Sequence, residues 1–152
     1  MENMIYFNKE HPIYGAFSNF YMCDFVFEGV TVNSVEAVFQ AQKTIDPIEK
    51  KRIMHLSPPM AKKAGRAVKL RSDWDKVKFD VMFKACYAKF SQNDDLKNLL
   101  LSTGDVLLVE NTTGWHDNIW GQCSCPRCIN KVGQNLHGRA LMNVRMLLRN
   151  IK

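Results

Sequence analysis

The sequence predicts a mostly helical fold with a few short strands near its N-terminus. Three observations carry this. Apolar residues recur at helical spacing over long stretches, most clearly at Trp74, Val77, Val81, Met82, Ala85 and Ala88. Helix-opening signals recur as well, at Asn33-Ser34, Asp46-Pro47 and Ser57-Pro58. Strand-like runs are short, and most of them precede the first helix signal.

Taken in order, the apolar run 4–7 is predicted as a strand. Phe25-Val26-Phe27 and Val30-Thr31-Val32 flank Glu28-Gly29, whose turn chemistry makes them a hairpin. A helix is expected to begin after Asn33 or Ser34 and run to about residue 45. Asp46 then offers an N-cap, Pro47 a first-turn proline and Glu49 an acidic third position, which opens a second helix. Ser57-Pro58 opens a third in the same way. Over residues 73–91, Phe79, Phe83, Tyr87 and Phe90 widen the apolar surface, so this helix is expected to be central and the most buried. Residues 96–101 form a shorter helix closed by Gly104, and 106–109 a strand. Residues 111–133 are a long irregular segment, of a length that is usually functional or ligand-ordered. A last amphipathic helix carries Leu141, Val144, Leu148 and Ile151.

With 152 residues and no repeat, low-complexity stretch or linker, the chain is expected to form one domain, residues 1–152. Its 46% hydrophobic and 24% charged residues exclude disorder and collagen-like repeats. No apolar run approaches the ~18 residues of a membrane span. The opening MENMIYFNKE lacks the basic and apolar regions of a secretory signal. Five cysteines, an odd number, then predict reduced thiols in a cytoplasmic protein. The net charge of +6 is uneven: residues 43–89 hold 13 Lys/Arg against five Asp/Glu. That excess points to a polyanionic partner, although most surface lysines simply solvate helix faces.

Three constellations can carry chemistry. On a helix, Val35, Val38 and Phe39 share one face, while Glu36, Gln40 and Lys43 share another at i, i+4 and i+7. A carboxylate, an amide and an amine in one stripe can hold a sugar or a base and supply a charge. The competing reading is local, with Asn33 and Glu36 at capping-box spacing and Lys43 favouring the helix C-terminus. The second constellation is Trp115-His116-Asp117-Asn118-Ile119-Trp120-Gly121. Its indoles either stack on a base or plug the core, and Asp117 is a second carboxylate to set against Glu36. The third is Cys123-Ser124-Cys125-Pro126-Arg127-Cys128. Three thiolates within six residues can seat a structural Zn²⁺, with His116, His137 or a water as fourth ligand, or they are reduced cysteines in a tight loop.

Read in order, the chain resembles the NADAR (YbiA-like) family over nearly its whole length. The matching pieces begin with Gly15, Ser18-Asn19-Phe20, Ser34-x-Glu36-x-x-Phe39-Gln40-Ala41-x-Lys43, Ser57-Pro58 and Gly65-Arg66. They continue with Leu70-Arg71-x-Asp73-Trp74, Val77-Lys78, Met82, Ala85 and Lys89-Phe90. Asp117-x-x-Trp120-Gly121, Gly133-x-Asn135-x-x-Gly138, Leu141-Met142 and Arg145 complete the match. Ala37 stands where many relatives have His, and the cysteine loop replaces a glycine-rich stretch that often follows Trp-Gly.

The resemblance implies a predominantly helical α+β fold with a small N-terminal β element, and cleavage of an N-glycosidic bond. Two substrate classes go with it: ribosylamino-pyrimidine intermediates of riboflavin synthesis, and ADP-ribose attached to guanine in nucleic acid. Carried over residue by residue, it points to Glu36, Lys43 and Asp117 as catalytic, and to Asn19, Gln40, Arg66, Trp120 and Asn135 as binders. The expectation is an N-glycoside hydrolase that uses no metal or redox cofactor in catalysis. The rival expectations are a non-catalytic ADP-ribose or nucleic-acid binding module and a zinc-stabilised interaction protein.

Overall fold

In the computed structural model, which describes residues 3–151, the strand β1 (Met4–Phe7) pairs in parallel with β4 (Leu107–Glu110). The register runs from Met4 opposite Leu107 to Phe7 opposite Glu110. β4 begins one residue later than its sequence suggests, because the Val106 N–H is turned back to the Thr103 carbonyl at 3.2 Å. A separate hairpin joins β2 (Phe25–Phe27) to β3 (Val30–Val32). Glu28 and Gly29 both have positive φ, 49° and 78°, as the expected tight turn requires.

Six helices make up most of the remainder: α1 (Val35–Ala41), α2 (Pro47–Met54), α3 (Pro58–Ala67), α4 (Trp74–Ser91), α5 (Asp94–Ser102) and α6 (Leu136–Asn150). The Asp46 carboxylate caps α2, accepting from the Ile48 N–H at 2.9 Å, with Pro47 at its first position. α5 gives way to Gly104 at φ 61°. Ile151 lies beyond α6 and is exposed, so it does not extend the apolar stripe of Leu141, Val144 and Leu148.

Two expectations change. α1 stops at Ala41 instead of about residue 45, because its last bonds tighten by one residue: the Lys43 N–H donates to the Gln40 carbonyl at 3.2 Å and the Thr44 N–H to the Ala41 carbonyl at 3.5 Å. The Arg71 N–H donates to the Lys43 carbonyl at 2.8 Å, and its guanidinium reaches the Gln42 carbonyl. The most buried helix is also α1, in which all seven residues are buried, and not α4. α1 is surrounded by α2, α3 and α4, whereas α4, at 18 residues, leaves Val77, Phe79, Val81, Phe83 and Tyr87 only partly covered.

The core is stitched by edge-to-face aromatic pairs, Phe7 with Phe17 and Phe17 with Phe90, each at 5.7 Å between ring centres. Beside them Lys89 is fully buried and donates to the carbonyls of Ala16 (2.6 Å) and Ser18 (3.0 Å). Burial pushes its amine down to about 8. That clamp fixes the turn leading into Asn19. No helix among the described residues is long and apolar enough to cross a membrane.

Candidate active site

A cleft of about 520 Å³ opens between α1, the turn at Ser18-Asn19-Phe20, the start of the chain around Asn8-Lys9-Glu10, and the segment 110–120. Of the sequence-derived site residues, Asn19, Glu36, Gln40, Asp117 and Trp120 line it. Lys43, Arg66 and Asn135 are not among its lining residues.

Glu36 enters from the buried side, on the first turn of α1. The helix is capped by Ser34, whose hydroxyl accepts from the Ala37 N–H at 3.1 Å, which leaves the Glu36 carboxylate free of that task. Its Oε1 instead accepts from Gln40 Nε2 at 2.7 Å, one turn along. The Glu36 N–H donates to the Asn19 carbonyl at 3.0 Å and so ties two walls of the cleft together. Burial pushes the Glu36 carboxyl up; the Gln40 hydrogen bond and the charges of Lys62 and Lys43 oppose this, and Glu110 adds to it.

Two amide oxygens on this side, Asn19 Oδ1 and Gln40 Oε1, are buried and have no partner among the described residues. Buried acceptors are rarely left alone; both residues line the cleft, and Gln40 Oε1 is turned toward Gly65 on α3. Gly65 is required here, since a Cβ on it would overlap the Gln40 amide.

Lys43 sits past the end of α1. Its Nζ lies 5.5 Å from the Phe39 ring centre and 5.9 Å from that of Trp74. Burial pushes its amine down, Glu36 pulls it up, and Arg66 and Lys62 push it down further. The i, i+7 stripe therefore survives only as its first two members, Glu36 and Gln40. Arg66 is exposed on the last turn of α3. Of the basic residues between 43 and 89, Lys62 is the one that lines the cleft.

The opposite wall is irregular. Asp117 Oδ1 accepts from the N–H groups of Ile119 and Trp120, both at 2.9 Å, so one carboxylate oxygen shapes the loop. Trp120 is half-buried and meets Phe39 edge-to-face at 4.9 Å, so its indole both lines the cleft and packs on α1. Trp115 stands at the mouth and is 53% exposed. Asn135 is spent on the backbone: its Nδ2 donates to the Leu108 carbonyl at 2.8 Å, and its Oδ1 accepts from the Glu110 N–H at 3.1 Å. It holds the start of α6 against β4, from a left-handed conformation.

Sequence reasoning missed Glu110, Asn111, Lys9 and Lys62 as cleft residues. The available signal for Glu110 was positional: a carboxylate at the last residue of an apolar strand, opening onto a long loop.

Outside the cleft, His116 Nδ1 lies 3.7, 3.3 and 3.5 Å from the sulfurs of Cys123, Cys125 and Cys128. The four ligand atoms lie within 4.8 Å of one another, a set that can hold a metal ion. The fourth member is thus His116, and His137 lies elsewhere, its Nδ1 3.4 Å from Glu110 Oε1.

Comparison with known proteins identifies the family. The NADAR domain model matches residues 6–149, and the chain belongs to that family. It is 39% identical to N-glycosidase Npun_R5314 of Nostoc punctiforme, over 97% of this chain and 94% of that one. The NMR structure of the Escherichia coli protein YbiA superposes with a TM-score of 0.83 at 37% identity, covering 98% of this chain and 87% of that one. The chloroplastic riboflavin biosynthesis protein PYRR of Zea mays is 34% identical over 94% of this chain and 25% of its own length. The chain is an enzyme of the N-glycosidase class, with a predominantly helical α+β fold and a glycoside as substrate.

Proposed function

We propose that the chain hydrolyses the C1′–N bond of a phosphorylated riboside in the cytoplasm, with Glu36 as the carboxylate on which turnover depends. The observation that carries this is the buried Glu36 carboxylate beside two unpartnered amide oxygens, facing a wall of Trp120, Trp115 and Asp117. As the C1′–N bond breaks, positive charge develops on the sugar, and a carboxylate held against it lowers the barrier. Asn19 and Gln40 accept from ribose hydroxyls, Asp117 holds the water or a hydroxyl with its second oxygen, and the indoles cover the base. Lys62, Lys9 and the exposed Arg66 supply charge for phosphates.

Lys43, over the Phe39 ring just outside the cleft lining, has its amine pushed down by burial. That favours a role as nucleophile: its nitrogen bonds to C1′ as the base leaves with the bond's electron pair, the ring opens to an imine, and water releases the sugar. Borohydride added during turnover then leaves a sugar adduct on Lys43. An absent adduct, with Lys43→Arg still active, makes it a binder.

The substrate is either ADP-ribose on guanine in nucleic acid or a ribosylamino-pyrimidine phosphate of riboflavin synthesis. The maize relative's name favours the second; the basic middle of the chain favours the first. Product assays on both, run in parallel, decide between them. DNA as substrate brings a steep fall of affinity with salt, whereas a small phosphorylated riboside brings a shallow one.

For the cysteine cluster we propose structural zinc. A tetrahedral Zn²⁺ with bonds of ~2.3 Å to sulfur and ~2.0–2.1 Å to nitrogen has S···N edges of about 3.6 Å, close to the separations from His116. Four protein ligands leave no open position for a reactive water. Elemental analysis of the untagged protein is expected to give one zinc per chain, and finding none ends this reading.

A further inference from the structure

The cleft contains a second acidic feature that the mechanism above does not use. Glu110 closes β4, lines the cleft and keeps 18% of its side chain exposed. Its backbone is held from three sides. Its N–H donates to Asn135 Oδ1 at 3.1 Å, its carbonyl accepts from the Gln122 N–H at 2.9 Å, and it pairs with Phe7 across the sheet. The carboxylate therefore has a fixed origin at the cleft wall.

Behind it lies His137, wholly buried, with Nδ1 3.4 Å from Glu110 Oε1. The His137 N–H donates to the Trp120 carbonyl at 3.1 Å, which sets the start of α6 and with it the ring. Three elements face the imidazole: β1 through the edge-to-face ring of Phe7 at 5.6 Å, α4 through the Cys86 thiol, and β4 through Glu110. Neither ring nitrogen makes an aligned hydrogen bond to a described residue, so the tie to Glu110 is one of charge. Burial pushes the imidazole down, but Glu110 and Cys86 outweigh it and leave it at about 9.

We propose that Glu110 is a further catalytic carboxylate of this cleft, and that His137 is the positioning residue that holds it there from behind. The proposal rests on the N-glycosidase reading and deepens it. Of the carboxylates that line the cleft, Glu36 and Glu110 sit in unlike settings, and such pairs divide the labour of acid–base chemistry. Glu36 is desolvated and feels the charge of Glu110. Glu110 has His137 Nδ1 3.4 Å behind its Oε1. Glu110 therefore adds its carboxylate to that of Glu36 against the cationic sugar, and Glu36, the more desolvated of the two, also exchanges the proton. Where hydrolysis is direct, the water oxygen bonds to C1′, its proton passes to Glu36, and the C1′–N electron pair leaves with the base. That nitrogen then recovers the proton.

The test uses the full chain with an ADP-ribosylated-guanine oligodeoxynucleotide and with a ribosylamino-pyrimidine 5′-phosphate, together with ¹⁵N NMR of the histidine rings in the free protein. Glu110→Gln is expected to lower kcat by about 100-fold, with KM nearly unchanged. His137→Gln is expected to lower kcat by about tenfold, the scale of losing an outer-shell partner, and His137→Phe serves if that variant does not fold. A double variant no slower than Glu110→Gln places His137 upstream of Glu110. The His137 ring is expected to be doubly protonated at pH 7 and to become neutral in Glu110→Gln. Wild-type kcat in Glu110→Gln, or a rise in KM alone, overturns the catalytic assignment. A neutral His137 ring in the wild type overturns the positioning role. If the wild type cleaves neither riboside, the substrate reading has failed, and the ring signal still decides whether the pair exists.

Discussion

The two walls of the cleft are built on opposite principles. The α1 wall is regular and dry: every residue of the helix is buried, Ser34 caps its start, and Glu36 and Gln40 are bonded to each other. The facing wall, within residues 111–133, has no helix or strand; one β-bridge between Asn111 and Gln122 and a set of side-chain bonds hold it. The Tyr6 hydroxyl donates to the Gln122 carbonyl at 2.5 Å, Asn118 Oδ1 accepts from the Cys123 N–H at 2.9 Å, and Gln122 Oε1 accepts from the Gly133 N–H at 2.6 Å. Its indoles and its Asp117 face the cleft, while the His116 and cysteine cluster lies on the same segment. Such a division places the Glu36 carboxylate where packing holds it still, and Trp115, Asp117 and Trp120 where sequence can vary at low cost to the fold.

Several substitutions break or sharpen that contrast. Glu36→Gln has the largest expected effect, a loss of rate of at least ~10²-fold with ligand binding largely kept. Stability moves the other way. Because the folded protein holds the Glu36 carboxyl above its ordinary 4.5, the charged form opposes folding at neutral pH. The glutamine variant should therefore melt higher than wild type at pH 7. The difference should vanish below pH 4.5, where the unfolded chain is protonated too. Equal melting at both pH values would show that Glu36 is solvated.

Trp120 joins the two walls, so Trp120→Ala should cost about 1–3 kcal/mol of ligand affinity and lower the melting temperature as well. Trp115→Ala, at the exposed mouth, should cost affinity alone. If the two variants behave alike by titration and by melting, the packing of Trp120 on Phe39 carries no weight. Removing the metal by chelation, or replacing Cys125 by Ser, should raise amide hydrogen exchange about tenfold or more through residues 111–133 and leave 35–41 unchanged. Exchange rising equally in both walls would mean that they unfold together. The smallest effect belongs to Asn135→Ala, which leaves the Leu108 carbonyl and the Glu110 N–H without partners. It should destabilise by about 1–3 kcal/mol with little change in affinity, and a loss of affinity without loss of stability would restore Asn135 as a binder.

Locally encoded features were legible in the sequence. The Glu28-Gly29 turn, the Asp46-Pro47 helix start and the three-cysteine cluster each depend on residues close together in the chain, and each is found where expected. Glu36 and Gln40 were legible because one helical turn separates them. Lys43 falls outside the stripe because α1 tightens and ends at Ala41, where the Lys43 N–H turns to the Gln40 carbonyl. The burial of α1 was missed for a related reason: its seven residues are too few to show periodicity, and α2, α3 and α4 bury it from all sides. Glu110 and His137 gave no pattern as a pair, since they meet only when the start of α6 is docked on β4.

The pairing of β1 with β4 has a consequence for how the molecule is made. Met4 leaves the ribosome early, yet Leu107 is its partner. At ~5–20 residues per second, the N-terminal strand waits about 5–20 s with its edge open. Contacts of such long range also slow folding in the free chain. During that interval α1, α2 and α3 can pack while the cleft still lacks its second wall, so hydrolytic competence arrives last, with the segment that follows β4. A chain released early would be largely helical and inert, and its unpaired strand would be the place where chaperones or other nascent chains engage it.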